Sequence, residues 1–223
     1  MTRSPTLAGP ALIALIGAVL LVALLPASGA SAASRVSGTP LHLLHGLATK
    51  AEHRKGYDRD LFPTWIDADH DGCDARDEVL IAETRAPVHV KSGCRITGGR
   101  WFSAYDGRWT KNPSTFDIDH LVPLKEAWDS GAWRWSAARR RAYANDLGSG
   151  RSLRAVSASS NRSKGDDDPA QWLPPRTAFR CTYAKQWVAT KVRWHLSVNT
   201  AERHALHQLL AACPGPVMTV HIA

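Results

Sequence analysis

The sequence predicts an α+β fold, and two kinds of pattern support this prediction. Short apolar or alternating segments at residues 88–102, 116–120 and 153–156 are typical of strands, while longer periodic segments at 124–145 and 177–212 are typical of helices. The resulting order is a hairpin, a strand, helices, a second strand and further helices, which indicates an α+β arrangement.

Each predicted element has its own local signal. Before residue 116, the elements are a short arm followed by a helix from Pro40, an acidic loop ending in a helix over Tyr57–Glu83, a hairpin of Val88–Val90 and Arg95–Phe102, and a turn at Asp106–Gly107. After it come a helix from Leu124 to Trp135 interrupted at Gly131, a helix over Ala137–Asn145, a link at Gly148–Gly150, and helices over Thr177–His195 and Thr200–Ala212. We expect Thr200 to cap the last helix.

The first 33 residues have the composition of a secretory signal peptide. Arg3 is basic, Ala11–Leu25 is apolar, and the small residues at 27–34 offer cleavage sites. An uncleaved membrane anchor is the alternative, because this apolar run is at the upper end of signal-peptide length. The small residues favour cleavage, so we expect residues 1–33 to be removed and 34–223 to form a single domain.

Four cysteines fit a protein that folds in an oxidising compartment. Three disulfide pairings are possible in principle, and we favour Cys73–Cys94 with Cys181–Cys213 because each pair brackets a local unit. A zinc site is the competing interpretation, but the chain has no C-x-x-C and no paired Cys/His spacing. The cysteines and the signal peptide together predict a secreted protein.

The domain after the signal peptide is basic. Without Arg3 it has 27 basic and 20 acidic residues of the chain's 28 and 20, a formal charge of +7. Nucleic acid, an anionic wall polymer and lipid headgroups would all attract such a protein. Charge alone does not choose among these partners.

Two segments carry the residue types needed for phosphodiester hydrolysis. Asp117–Trp128 (DIDHLVPLKEAW) alternates like a strand, ends in the pair Asp119–His120 and stops at a proline. Ser152–Asp168 (SLRAVSASSNRSKGDDD) gives a short strand, then Asn161 and Lys164 at i, i+3 on one helix face. Together they offer two oxygen ligands, one base and one cation.

The chemistry assigns a role to each of these side chains. His120 can be the general base, because an unperturbed imidazole is largely neutral at pH 7. Asp119 and Asn161 offer hard oxygen ligands for Mg²⁺ or Mn²⁺, and Lys164 is expected to contact a phosphate. The alternatives are a polar pair at a strand end, a helix cap at Asn161 and a solvated helix end at Lys164. Asp117 is a reserve ligand, although a hydrogen bond to a neighbour is its expected role.

These two segments resemble an HNH (ββα-metal) nuclease motif, specifically the secreted family that shares its domain with the C-terminal part of GmrSD-type restriction enzymes. The similarity extends to YDRDLF, DGCDARDEVL, NRSKGDDDPAQWLPP and the C-terminal FRCTYAKQW segment, and covers most of the chain after the signal peptide. It implies a ββα-metal core with an N-terminal hairpin region, C-terminal helices and stabilising disulfides. It also implies that His120 is the general base, that Asp119 and Asn161 bind the metal, and that nucleic acid, usually DNA, is cleaved to leave a 5′-phosphate.

One position departs from the pattern that the resemblance implies. The family usually has asparagine where this chain has Ser152, a residue expected to support the loop that carries the base. Serine is shorter and has no amide group to form two hydrogen bonds at once. The substitution therefore predicts an effect on activity rather than on the fold.

A second acidic site is predicted at the loop before residue 79. Its residues fit the EF-hand calcium pattern D-x-D-x-D-G-x5-E through Asp67, Asp69, Asp71 and Glu78. Pro63 stands where an entering helix would be, which argues against a complete EF-hand. A structural alternative to Ca²⁺ is that Arg76 and the acidic residues pair with one another.

Two functions from different classes follow. The first is a secreted, metal-dependent endonuclease of low sequence specificity that contacts mainly the nucleic acid backbone, because no sequence-reading module is recognisable. We expect it to be a monomer without stable membrane association once the signal peptide is removed. The second is a catalytically impaired calcium- or polyanion-binding exported protein on the same scaffold, disabled by Ser152.

Overall fold

The computed structural model describes residues 1–2 and 34–223, so the predicted signal peptide lies outside the described residues apart from its first two. Residues 34–223 form seven α-helices and four two-stranded antiparallel sheets. The strands are β1 Arg35–Gly38, β2 Val88–Lys91, β3 Arg95–Gly98, β4 Trp101–Phe102, β5 Trp109–Thr110, β6 Phe116–His120, β7 Leu153–Ser157 and β8 Met218–His221. The helices are α1 Pro40–Gly46, α2 Ala75–Glu83, α3 Leu124–Asp129, α4 Ala137–Ala144, α5 Ala158–Lys164, α6 Thr177–Arg193 and α7 Thr200–Ala212. Among the described residues, no helix is both long and apolar enough to span a bilayer.

The first and last strands pair with each other. β1 runs antiparallel to β8, with Val36 opposite Val220. The sequence predicted only a short arm before Pro40, and that prediction was wrong. The partner strand lies at the far end of the chain, and a short edge strand has little local signal of its own because neighbouring strands supply much of its stability.

The predicted hairpin is confirmed for β2 and β3 but ends earlier than expected. Gly98 and Gly99 have φ values of 77° and 81°, which interrupt the extended backbone. A Cβ on Gly99 would lie 2.5 Å from the Trp101 ring, so this close approach requires glycine. Trp101 and Phe102 then pair with β5 across the predicted turn at Asp106–Gly107.

The helices follow the sequence prediction closely, with one corrected cap. The break at Gly131 is confirmed, because α3 ends at Asp129 and a short 3-10 turn follows. At the start of α7, the side chain of Asn199 accepts a hydrogen bond from the Glu202 N–H, and the Glu202 side chain accepts one from the Asn199 N–H. Asn199 is therefore the N-cap, and Thr200 is the first helical residue.

Both predicted disulfides are present. Cys73–Cys94 joins the acidic loop to the β2–β3 hairpin, and Cys181–Cys213 joins α6 to the residue that follows α7. No described cysteine is free.

The β6–β7 pair and α5 position the candidate site. β6 and β7 are antiparallel, with Ile118 opposite Ala155, and α5 begins directly after β7. One face of the pair packs into a small core with α2; its buried residues are Val79, Leu80, Trp101, Phe116, Ile118, Leu153 and Ala155. The opposite face carries Asp117 and Asp119, which bond to side chains of α5. A larger core is centred on α6, where Tyr183 and Trp187 are fully buried.

Candidate active site

A cleft of about 220 Å³ opens at the end of β6 and contains three of the predicted site residues. It is lined by Arg59, Ile118, Asp119, His120, Pro123, Leu124, Asn161, Arg162, Gly165 and Asp166. A larger cavity of about 370 Å³ lies among α1 and the end of α6, but none of the predicted site residues lines it. The smaller cleft is therefore the candidate site, because it contains predicted site residues and the larger cavity does not.

His120 is held in one orientation and one tautomer. Its Nε2 lies 2.8 Å from the carbonyl oxygen of Ala144, and because a carbonyl only accepts, Nε2 must carry the proton. Nδ1 is then the unprotonated nitrogen. The ring stacks on Tyr143, with centroids 6.3 Å apart, and contacts Trp65 in a tilted arrangement, with centroids 5.7 Å apart. Burial lowers the pKa of His120 to about 4, so the ring is neutral at pH 7.

Asp119 is a buried carboxylate with three internal donors. Lys164 Nζ lies 2.7 Å from Oδ1 and 2.9 Å from Oδ2, and the Tyr105 hydroxyl donates to Oδ2 at 2.5 Å. Each carboxylate oxygen can accept about two hydrogen bonds. Oδ2 is therefore fully used, whereas Oδ1 retains one acceptor position.

The placement of Lys164 contradicts the predicted phosphate contact. Its side chain is fully buried, and its third N–H donates to the His120 carbonyl oxygen at 2.8 Å. An ammonium group has three N–H donors, and all three are engaged inside the protein. Lys164 instead neutralises Asp119 and ties α5 to the end of β6.

Asn161 faces the neighbouring carboxylate on the same strand. Its Nδ2 donates to Asp117 Oδ2 at 3.1 Å, which confirms the hydrogen-bonding role expected for Asp117. This orientation of the side-chain amide leaves its oxygen, Asn161 Oδ1, available as an acceptor. Strand residues two apart share a face, as do helix residues three apart, so the pairs Asp117–Asn161 and Asp119–Lys164 lie side by side.

Ser152 contacts the segment that orients His120. Its hydroxyl donates to Asp146 Oδ2 at 2.6 Å, and its carbonyl oxygen accepts from the Leu121 N–H at 2.9 Å. Asp146 also receives two hydrogen bonds from Arg193, at 2.7 and 2.8 Å. The segment between Ala144, which holds the imidazole, and Ser152 is thus anchored through a buried carboxylate.

The oxygen donors at the cleft fit a small divalent cation. Asp119 Oδ1 keeps one acceptor position. The side-chain Oδ1 of Asn161 is also available, because the amide Nδ2 is the atom that bonds to Asp117. Carboxylate and amide oxygens are the hard ligands that Mg²⁺ and Mn²⁺ favour. The ammonium of Lys164 beside Asp119 opposes a second cation, so this donor set favours weak rather than tight metal binding.

The second acidic site is assembled but differs from an EF-hand. Carboxylate oxygens of Asp67, Asp69 and Asp71 lie within 4.8 Å of one another, and so do the ligand atoms of Asp71 and Glu78. Burial raises the pKa of Glu78, and the neighbouring aspartates add to the shift. The Arg76 guanidinium donates to the carbonyl oxygens of Pro113 and Phe116 rather than to these acids. Calcium binding at this loop stays a prediction.

Several residues of the site have no local signal in the sequence. Tyr105 bonds to Asp119 and Asp146 bonds to Ser152, and no motif marks either Tyr105 or Asp146. Arg162 follows Asn161 directly and Arg59 lies within YDRDLF, so the motif segments contained both, but only the structure shows that both line the cleft.

Comparisons with known proteins show the family of this chain. The chain matches the family model described as GmrSD restriction endonucleases, C-terminal domain, over residues 83–209, which include β6, β7 and α5. A protein of Arthroderma benhamiae (strain ATCC MYA-4681 / CBS 112371) described as an uncharacterized secreted protein is 41% identical over 178 residues, covering 79% of this chain and 86% of the relative. No solved structure matches the chain. The family match spans more than half of the sequence and includes every cleft residue except Arg59, so the chain belongs to the family of GmrSD restriction endonuclease C-terminal domains.

Proposed function

We propose that this protein is a secreted, metal-dependent endonuclease with an HNH-type ββα core that hydrolyses phosphodiester bonds of nucleic acid. The observation that carries the proposal is the state of His120: a neutral imidazole, its Nε2 proton held by the Ala144 carbonyl, in a cleft with two oxygen donors. Family membership supports the same activity class.

His120 acts as the general base through Nδ1. The attacking water gives its proton to Nδ1 as the water oxygen bonds to phosphorus, and the bond from phosphorus to the leaving oxygen breaks. The leaving oxygen takes a proton from solvent. The Ala144 carbonyl stabilises the imidazolium that forms, and the contacts with Trp65 and Tyr143 hold the orientation of the ring.

Asp119 and Asn161 would hold Mg²⁺ or Mn²⁺ through the two acceptor positions left to them. When bound, the ion stabilises charge on the phosphate and the leaving oxygen. Tyr105 and Lys164 keep the Asp119 carboxylate in place, and Ser152 supports the base through Asp146.

The substrate and location follow from charge and compartment. The positive domain and the lack of a recognisable sequence-reading module favour backbone contacts to DNA, with 5′-phosphate products as in the family that the sequence resembles. The two disulfides and the secreted relative support export after removal of a signal peptide over residues 1–33. We expect a monomer with no stable membrane association.

The test is metal-dependent nicking of supercoiled plasmid, with and without Mg²⁺ or Mn²⁺. Loss of the general base in His120→Ala should slow cleavage by roughly 10² to 10⁴-fold. His89→Ala, an exposed histidine on β2, is the matched control and should cleave at the wild-type rate. Equal cleavage by wild type and His120→Ala would refute the proposed role of His120.

A second candidate is the catalytically impaired calcium- or polyanion-binding protein. It is favoured by the internal donors that already engage both oxygens of Asp119. It predicts salt-sensitive DNA binding without product, and Ca²⁺ at the acidic loop. In that case EDTA lowers the melting temperature of the wild type and leaves Glu78→Gln nearly unchanged, whereas an equal effect on both proteins excludes the loop as the calcium site.

A further inference from the structure

The cleft needs a cation for the substrate, and Lys164 does not supply it. An anionic backbone entering beside Asp119 also meets Asp166, a second carboxylate that lines the cleft. Lys164 neutralises only the first of these, and its three N–H donors are already used. Any attraction for phosphate must come from other side chains of the cleft.

Two arginines in the cleft can supply the attraction for phosphate. Arg59 and Arg162 both line it, both are exposed, and neither forms an ion pair within residues 34–223.

Both arginines are carried by anchored backbone. Arg59 begins a 3-10 turn that ends in the buried Phe62, whose ring contacts Trp128 and Tyr143 edge-on. Arg162 lies on α5 between Asn161 and Lys164, which are fixed to the two aspartates of β6. The two arginines therefore line the cleft from anchored backbone in two segments far apart in the chain.

We infer that Arg59 and Arg162 form a phosphate-binding subsite that holds the backbone of a nucleic acid beside His120. A guanidinium group can donate two parallel hydrogen bonds to a phosphate, which a lysine cannot reproduce. Exposed, unpaired arginines also lose little by exchanging water for phosphate. This assignment rests on the proposed function and gives the phosphate role, first expected of Lys164, to these two residues.

The test separates binding from cleavage. A short DNA duplex is titrated with the disulfide-bonded protein carrying His120→Ala, in EDTA, over a range of salt concentrations. Arg59→Ala and Arg162→Ala should each weaken binding by roughly tenfold and reduce the slope of log K against log [salt] by about 1, because each loses one phosphate contact. Arg95→Ala, an exposed arginine of β3 outside the cleft, should change neither.

Lysine variants test whether each arginine donates two parallel hydrogen bonds to a phosphate. Arg59→Lys and Arg162→Lys keep the charge, so the salt slope should stay at the wild-type value while affinity falls by a few fold. Both side chains are exposed, and the melting temperatures should match the wild type. In the cleavage assay, alanine at either position should raise KM more than it lowers kcat.

The outcomes distinguish the subsite from the proposed function. Weaker, less salt-dependent binding in both alanine variants supports the subsite, even if the wild type shows no cleavage and the nuclease proposal fails. Wild-type affinity and salt slope in both variants overturn the subsite, and leave the nuclease proposal standing if plasmid is still nicked by the native protein.

Discussion

Two lysines of this protein are fully buried, and they differ in what surrounds them. Lys164 bonds to one carboxylate, Asp119, and to the His120 carbonyl oxygen. Lys191 lies 2.6 Å from Glu126 and 2.7 Å from Glu202, and donates to the Ser197 carbonyl oxygen at 2.8 Å. Each cluster also has an aromatic donor: Tyr105 on Asp119, and Trp187 on Glu202.

The charge balance separates the two clusters. One lysine against one carboxylate is neutral, and the carboxylate can face the cleft without an excess charge. One lysine against the two carboxylates that it contacts leaves a negative charge in the interior, and Glu52 and Asp168 place further carboxylates beside Glu126. Burial is the main cause that raises the pKa of Glu126 to about 8 and also raises the pKa of Glu202, so this cluster retains a proton near neutral pH. Neither Glu126 nor Glu202 lines the cleft. We therefore expect the Lys191 cluster to contribute to stability rather than to the site.

The largest expected effect comes from removing either lysine. Lys164→Met and Lys191→Met should each lower the free energy of unfolding by about 3 to 5 kcal/mol, because an unpaired carboxylate stays buried. Urea unfolding measures the loss. Plasmid cleavage per folded molecule distinguishes the two lysines. It should be largely lost in Lys164→Met and stay near the wild-type rate in Lys191→Met.

An equal loss of activity in both variants, at matched folded fractions, would contradict the assignment of the Lys191 cluster to stability alone. The Lys191 cluster would then act on the cleft as well as on stability. Leu206→Ala, a change in the large core, is a control for destabilisation without removal of a buried charge.

A smaller effect is expected from pH, with opposite signs in the two regions. Between about pH 6.5 and 8, the native state holds a proton on Glu126 that the unfolded state lacks, so the free energy of unfolding should fall by about 1.5 kcal/mol. Glu126→Gln should abolish that fall. Between about pH 4.5 and 6.5 the contribution of Glu126 is offset, because burial lowers the pKa of His120 to about 4 and only the unfolded state takes up the proton of this histidine.

Thermal or urea unfolding at a series of pH values measures this dependence. A wild-type curve that rises between pH 6.5 and 8 would show that the Lys191 cluster holds no extra proton. A fall of the same size in Glu126→Gln would place the proton on another group.

The smallest effect is expected from Tyr105→Phe. The change removes only the hydroxyl that donates to Asp119, while Lys164 remains on both oxygens. We expect a loss of about 1 kcal/mol in unfolding free energy. Cleavage should also fall several fold, because Asp119 Oδ2 is no longer fixed from that side. Unchanged cleavage would leave Lys164 alone responsible for placing Asp119.

The sequence predicted the parts of the site that depend on local patterns. Alternation located the strand that carries Asp119 and His120, and the i, i+3 spacing correctly placed Asn161 and Lys164 on one face of α5. Spacing shows which residues share a face but not what covers that face. Lys164 was therefore expected at a phosphate, whereas it is buried against Asp119.

Contacts between distant segments were beyond local reasoning. The pairing of β1 with β8 and the hydrogen bonds from Arg193 to Asp146 depend on how the whole chain packs. The disulfides were predictable because each closes a local unit, with separations of 21 and 32 residues.

The Cys73–Cys94 bond has a consequence for the timing of maturation. It closes the acidic loop that begins just after Trp65, whose ring contacts His120. Disulfides of this kind form after export, whereas the cytoplasm keeps thiols reduced. The segment that follows Trp65 is thus tied to the β2–β3 hairpin only after the chain reaches an oxidising compartment, so the surroundings of His120 are completed outside the cytoplasm.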